Sequence, residues 1–76
     1  MAKIKIVGIL SRYAGDRKEV EVEGGISVEE ILAKLEIPSP LVGVVLVNGK
    51  QVDKSHVIRE GDEVKLIPLI GGGEAY

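Results

Sequence analysis

From Lys3 the chain alternates charged and apolar side chains, Lys3-Ile4-Lys5-Ile6, and then runs apolar to Leu10. A two-residue period is that of a pleated strand, so the pattern predicts a strand over 3–10 with Ile4 and Ile6 buried and a partly apolar opposite face. From Ser11 to Asp16 the apolar run gives way to small and polar residues, with Gly15-Asp16 as the turn signal, which predicts a loop. Lys18-Glu19-Val20-Glu21-Val22-Glu23 then alternates strictly, placing Val20 and Val22 toward the core and three glutamates toward water. Those glutamates read as a solvated face that discourages edge pairing rather than as an acid site.

After Gly24-Gly25 the period changes. Ser27 stands three residues before Glu30, which is a capping box, and Ile26 and Ile31 are spaced for a hydrophobic staple. Val28, Ile31, Leu32 and Leu35 recur at helical spacing, so a short helix buries one stripe while Glu29, Lys34 and Glu36 face solvent. Pro38 and Pro40 forbid its continuation. The apolar run Val44-Val45-Leu46-Val47 meets Asn48-Gly49, the strongest two-residue hairpin signal, and a brief strand at Gln51-Val52 pairs back. Asp53 to Arg59 connects to the turn Glu60-Gly61-Asp62. A last strand, Val64 to Ile67, points Val64 and Leu66 inward and Lys65 and Ile67 outward.

The order strand, strand, helix, strand, short strand, strand predicts an α+β domain: a mixed sheet of about five strands with one helix on one face. The first and last strands are expected side by side and parallel, because a helix-containing crossover separates the two halves. This is the β-grasp arrangement. It is expected over residues 1–70, with residues 71–76 as a flexible glycine-rich tail.

Composition narrows the chemistry. Seventy-six residues leave room for one domain, and 45% hydrophobic with 29% charged residues is a globular balance. With no Phe or Trp the core rests on Ile, Val and Leu. A formal charge of −2 and a pI near 5.3 argue against a phosphate-binding surface, and two tyrosines are too few for a stacking platform, so nucleic acid is not an expected partner. The absence of cysteine removes thiolate nucleophiles and the usual zinc ligands. No apolar run approaches the roughly 20 residues that span a bilayer, so no membrane association and a cytoplasmic location are expected. The sole histidine, His56, lies in a predicted loop and reads as an exposed loop residue rather than a metal ligand. The serines lack a histidine partner in any triad pattern. The glycines Gly71-Gly72-Gly73 lack the lysine and following helix of a phosphate-binding loop. On their own they fit a frayed terminus as well as a bare-backbone cord able to enter a pocket that excludes side chains.

In this order and spacing, Ala14-Gly15, Ser27-Val28-Glu29-Glu30-Ile31-Leu32, Val47-Asn48-Gly49, Gly61-Asp62-Glu63-Val64 and the Pro68-to-Gly73 terminus resemble the ubiquitin-like sulfur carriers over nearly the whole chain. The likeness is greatest to the small subunit of molybdopterin synthase, through Pro68 and the length of the first loop, with the thiamine-biosynthesis sulfur carrier second. The resemblance implies a non-enzymatic carrier whose terminal diglycine, Gly72-Gly73, is adenylated by an ATP- and Mg²⁺-using enzyme of the ubiquitin E1 class and converted to a thiocarboxylate at Gly73. Gly71 would be an extra spacer. The chain would bind no cofactor or metal of its own. Its other partner would be the molybdopterin synthase large subunit or an equivalent sulfur acceptor, reached through an outward apolar patch of Ile67, Leu69 and Leu46 with Val7 and Ile9.

Glu74-Ala75-Tyr76 depart from this pattern, because a peptide bond at Gly73 leaves no carboxylate to adenylate. Three readings fit: a precursor trimmed by a metalloprotease related to deubiquitinating enzymes, a carrier retained as a binding module, or a cloning remnant. A ubiquitin-like interaction module, or a modifier joined to lysines through Gly73, has the same expected fold.

Overall fold

The alternating segments form the strands that their periods predict, with shifted ends. In a computed structural model that describes residues 1–69, the strands are β1 (Ala2–Ile6), β2 (Glu19–Val22), β3 (Val42–Val47), β4 (Lys50–Val52) and β5 (Glu63–Pro68), with one α-helix, α1 (Val28–Leu35). The sheet order is β2-β1-β5-β3-β4. β1 and β5 are parallel, Ile4 opposite Val64 and Ile6 opposite Leu66, and every other pair is antiparallel. The expected β-grasp sheet is therefore present, with the last strand at its centre.

Helix α1 starts as its capping box dictates: Glu30 N–H donates to Ser27 Oγ at 3.2 Å, and Ser27 N–H donates to Glu30 Oε1 at 2.8 Å. Two more first-turn donors, the N–H groups of Val28 and Glu29, reach the carbonyls of His56 and Lys54. The connecting segment before β5 thus closes over the helix start, satisfying groups that a helix cannot satisfy alone. Val28, Ile31, Leu32 and Leu35 are buried with Ile4, Ile6, Val45, Val47, Ile58, Val64 and Leu66 in one core. The helix ends earlier than Pro38 alone would require. Glu36 turns left-handed at φ 58°, and the chain then drops Ile37 into the core. The proline acts one residue back by disfavouring helical geometry at Ile37.

One expectation needs correction. The first strand does not run to Leu10: it stops at Ile6, and Gly8–Ala14 form a 3₁₀ segment where a strand end and a loop were expected. Gly8 adopts φ +63°, which breaks the pleat, and Leu10 and Ala14 then supply the buried side chains. Ile9 consequently lies on this 3₁₀ segment and not on the sheet. Val20 and Val22 pack against the core as their alternation predicts, half-buried because β2 is an edge strand. A second 3₁₀ turn, Ser39–Leu41, leads into β3, which begins two residues before the expected Val44.

Candidate functional site

The sheet face away from α1 is ordered in rows that register alone defines. Near the Asn48-Gly49 turn the cross-strand row is Glu21, Lys3 and Glu63. The next row is Glu19, Lys5, Lys65, Leu46 and Gln51. The third, at the end where β5 leaves the sheet, pairs Ile67 with Val44. Val7 continues β1 in extended geometry beside them, its N–H donating to the Leu66 carbonyl at 3.0 Å. The face thus grades from charged at one end to apolar at the tail end.

The charged rows are locally neutralised. Lys5 Nζ lies 3.0 Å from Glu63 Oε2, and Lys3 Nζ lies 3.5 Å from Glu19 Oε2. The hydrogen bond and charge of Lys5 hold the Glu63 carboxyl below its ordinary value, and Glu63 raises Lys5 in return. Such exposed pairs add little to stability, so their effect is on surface potential. At the turn, Asp62 accepts from Arg59 N–H at 2.8 Å and from Asn48 Nδ2 at 3.0 Å, which lowers its pKa, while Asn48 Oδ1 accepts from Glu63 N–H at 3.0 Å. The hairpin turn and the start of β5 are tied by these bonds.

The five docking candidates separate. Leu69 and Ile9 are the most exposed, at 63% and 56%, and Val7 is 38% exposed. Ile67 is half-buried at the tail end of the face. Leu46 is half-buried one row away, in a shallow depression lined with Lys5, Gly49, Glu63 and Lys65, so its surroundings are charged. Ile67, Leu69, Val7 and Ile9 belong to the region where β5 ends, whereas Leu46 borders it. Tyr13, 44% exposed on the 3₁₀ segment, is a further apolar surface residue that strand periodicity gave no reason to select. Gly71, Gly72 and Gly73 lie outside the described residues, as do the 70/71 boundary and Glu74-Ala75-Tyr76.

The last described residues are fixed from both sides. Leu69 N–H donates to the Leu41 carbonyl at 2.8 Å. Between Val42 and Val44 the β3–β5 register shifts, so Gly43 sits in a bulge, and a Cβ there would lie 2.9 Å from Leu69 Cα. On the β1 side, a Cβ on Gly8 would lie 3.4 Å from Pro68 Cγ. The end of β5 is therefore seated between two glycines of different elements. The signal for Gly43 was present in the sequence as a lone glycine inside an apolar run, which marks a bulge or a close backbone approach.

His56 is exposed, and its carbonyl serves the helix start. Among the described residues no group of three or more His, Asp or Glu is arranged to hold a metal, and no helix is long and apolar enough to cross a membrane.

Comparison with known proteins agrees with this architecture. The Haloferax volcanii small archaeal modifier protein 1 is 25% identical, with a TM-score of 0.66 over 91% of this chain and 97% of that one. A chain of the Amycolatopsis orientalis BexX/CysO complex is 22% identical, with a TM-score of 0.72 over 96% of this chain and all of that one. A chain from the complex of subunits 1 and 2 of the Helicobacter pylori molybdopterin-converting factor is 18% identical, with a TM-score of 0.60 over 95% and 97%. These likenesses agree on the fold. The family assignment rests on sequence: residues 4–73 match the ThiS family, and with the β-grasp sheet and capped helix already in place, the chain belongs to that family of ubiquitin-like sulfur carriers.

Proposed function

We propose that the chain carries sulfur for molybdopterin (molybdenum or tungsten cofactor) synthesis as a thiocarboxylate on Gly73, formed after Glu74-Ala75-Tyr76 are removed. The observation that carries this reading is where the family match stops. It includes Gly72 and Gly73 and leaves out the last three residues. The assignment to molybdopterin rather than thiazole synthesis rests on Pro68 and the length of the first loop.

The chemistry needs little from the chain beyond a free terminal carboxylate. Hydrolysis of the Gly73–Glu74 peptide bond by a metalloprotease supplies it. A carboxylate resists nucleophiles because its charge is delocalised, so a Gly73 oxygen first attacks the α-phosphorus of ATP and pyrophosphate leaves. Hydrosulfide then adds to the acyl carbon and AMP departs, giving the thiocarboxylate. ATP and Mg²⁺ belong to the E1-like partner. The folded body supplies a docking face and a fixed point from which the tail starts. The apolar end of the outer face, with Val7, Ile67 and Leu69, together with Ile9 on the 3₁₀ segment that follows β1, is the surface offered to that enzyme and to the large-subunit acceptor. The Amycolatopsis and Helicobacter chains come from complexes, in line with a protein that acts by docking.

Intact-mass measurement of the protein recovered from its own host tests the reading. The expected species lacks Glu74-Ala75-Tyr76, and a fraction shows one oxygen replaced by sulfur. Recovery of only the full-length chain would overturn it. The likeness to a small archaeal modifier favours protein modification as the second reading, and adducts joined to lysine through Gly73 would establish that instead.

A further inference from the structure

We propose that Gly43 is a positioning residue for acyl transfer: by lacking a side chain it lets the Leu69 backbone lie close against β3 and so fixes the root from which the tail starts. This role rests on the sulfur-carrier reading above. The approach is close. A Cβ on Gly43 would lie 2.9 Å from Leu69 Cα, 3.2 Å from its nitrogen and 3.3 Å from its Cβ, so two of the three nearest obstructions are backbone that cannot rotate away. The same close approach places Leu69 N–H on the Leu41 carbonyl at 2.8 Å. The backbone of Gly43 carries no left-handed φ, so the glycine is required by the approach and not by its own conformation.

The position of the root matters because the reach is short. The four residues from Ile70 to Gly73 span at most about 14 Å when fully extended. A cord of that length compensates poorly for a displaced root. Freeing Leu69 lengthens the cord, and the effective concentration of Gly73 at a partner's reacting centre falls. Such misplacement acts on turnover, since displacement of a reacting group by about 1 Å can cost up to about a hundredfold. Of the docking residues only Leu69 is displaced by the substitution, so binding through Val7, Ile9 and Ile67 is kept and the larger effect falls on turnover.

The test uses the chain ending at Gly73 and the activating enzyme of its own host, with pyrophosphate release followed against carrier concentration. Gly43→Ala is expected to lower kcat at least tenfold, with the rise in KM from the displaced Leu69 side chain being the smaller effect. Hydrogen exchange at the Leu69 amide reads the clamp without any partner: protected in the unsubstituted chain, and released in Gly43→Ala while the Ile4 and Val45 amides stay protected. Leu69→Pro, which deletes the donor and adds nothing at position 43, provides a second route and is expected to lower kcat as well, judged against Leu69→Ala, which loses the docking side chain but keeps the donor. An unprotected Leu69 amide in the unsubstituted chain overturns the clamp. Normal kcat in a variant whose Leu69 has been released overturns the catalytic role. Absence of pyrophosphate release from the unsubstituted chain overturns the carrier reading and this role with it, while the exchange measurement still judges the clamp.

Discussion

Glu36 holds a backbone conformation that its side chain disfavours, φ 58° at the end of α1, where its N–H reaches the carbonyls of Ala33 and Leu32. Left-handed geometry costs a residue with a Cβ roughly 1–2 kcal/mol, and glycine avoids it. Glu36→Gly is therefore expected to stabilise the fold by about 1 kcal/mol in urea titration, the larger unfolded-state entropy of glycine taking back part of the gain. A loss of stability would mean that the carboxylate makes a contact worth more than the strain. Asp62 makes a different prediction. Its carboxyl is held below the ordinary value by the Arg59 N–H and the Asn48 amide. A group with a lowered folded pKa gives its full contribution above its unfolded value and loses it as pH falls through the folded one. Glu63, lowered by Lys5, acts in the same direction. Stability should decline on acidification below the usual carboxylate range, and Asp62→Asn should flatten that slope. An Asp62 titration midpoint at or above the ordinary aspartate value, followed by NMR, would contradict this.

Helix α1 has only eight residues and depends on packing, not on propensity. Ile31 is fully buried, and its truncation to alanine is expected to cost about 2–5 kcal/mol. A domain of this size has roughly 4–11 kcal/mol in all. Ile31→Ala should therefore lower the denaturation midpoint severely, and a change below 1 kcal/mol in urea would show that α1 is not coupled to the sheet as described. The same helix shows what a sequence reader can see. Ser27, Glu30 and the Val28-Ile31-Leu32-Leu35 stripe specify it locally, and the Asn48-Gly49 turn specifies the β3–β4 hairpin just as locally. Val7 to Leu10 were illegible for the opposite reason. Their apolar run suits a strand, yet Val7 N–H is bonded across to Leu66 on β5, and Gly8 turns the chain so that Leu10 enters the core. A 3₁₀ segment that depends on a strand nearly sixty positions away leaves no periodic trace. Gly43 lies between these cases: the glycine was visible in the apolar run, but not that Leu69 lies close against it.

Across the whole sheet, the outer face grades from paired charges to apolar side chains, and the docking proposed above belongs to its apolar end. Outward residues could not be ranked by sequence alone, because alternation assigns Leu46 and Ile67 to the same face, whereas register puts Leu46 beside Lys5 and Lys65 and Ile67 beside Val44. If docking follows the apolar end, Ile9→Asp and Leu46→Asp are separable. Ile9 is exposed on the 3₁₀ segment, so its substitution should change stability by no more than about 0.5 kcal/mol. A charge placed within an apolar contact must be desolvated without a partner, and affinity for the activating enzyme should drop about tenfold or more. An aspartate at position 46 would instead stand next to two lysines and remain hydrated, so its effect on affinity should be several-fold smaller. Titration calorimetry on the two variants with the same partner gives the order directly. Equal losses would place the partner over the centre of the face, and a larger loss at position 46 would move docking toward the charged rows, where salt should then weaken it.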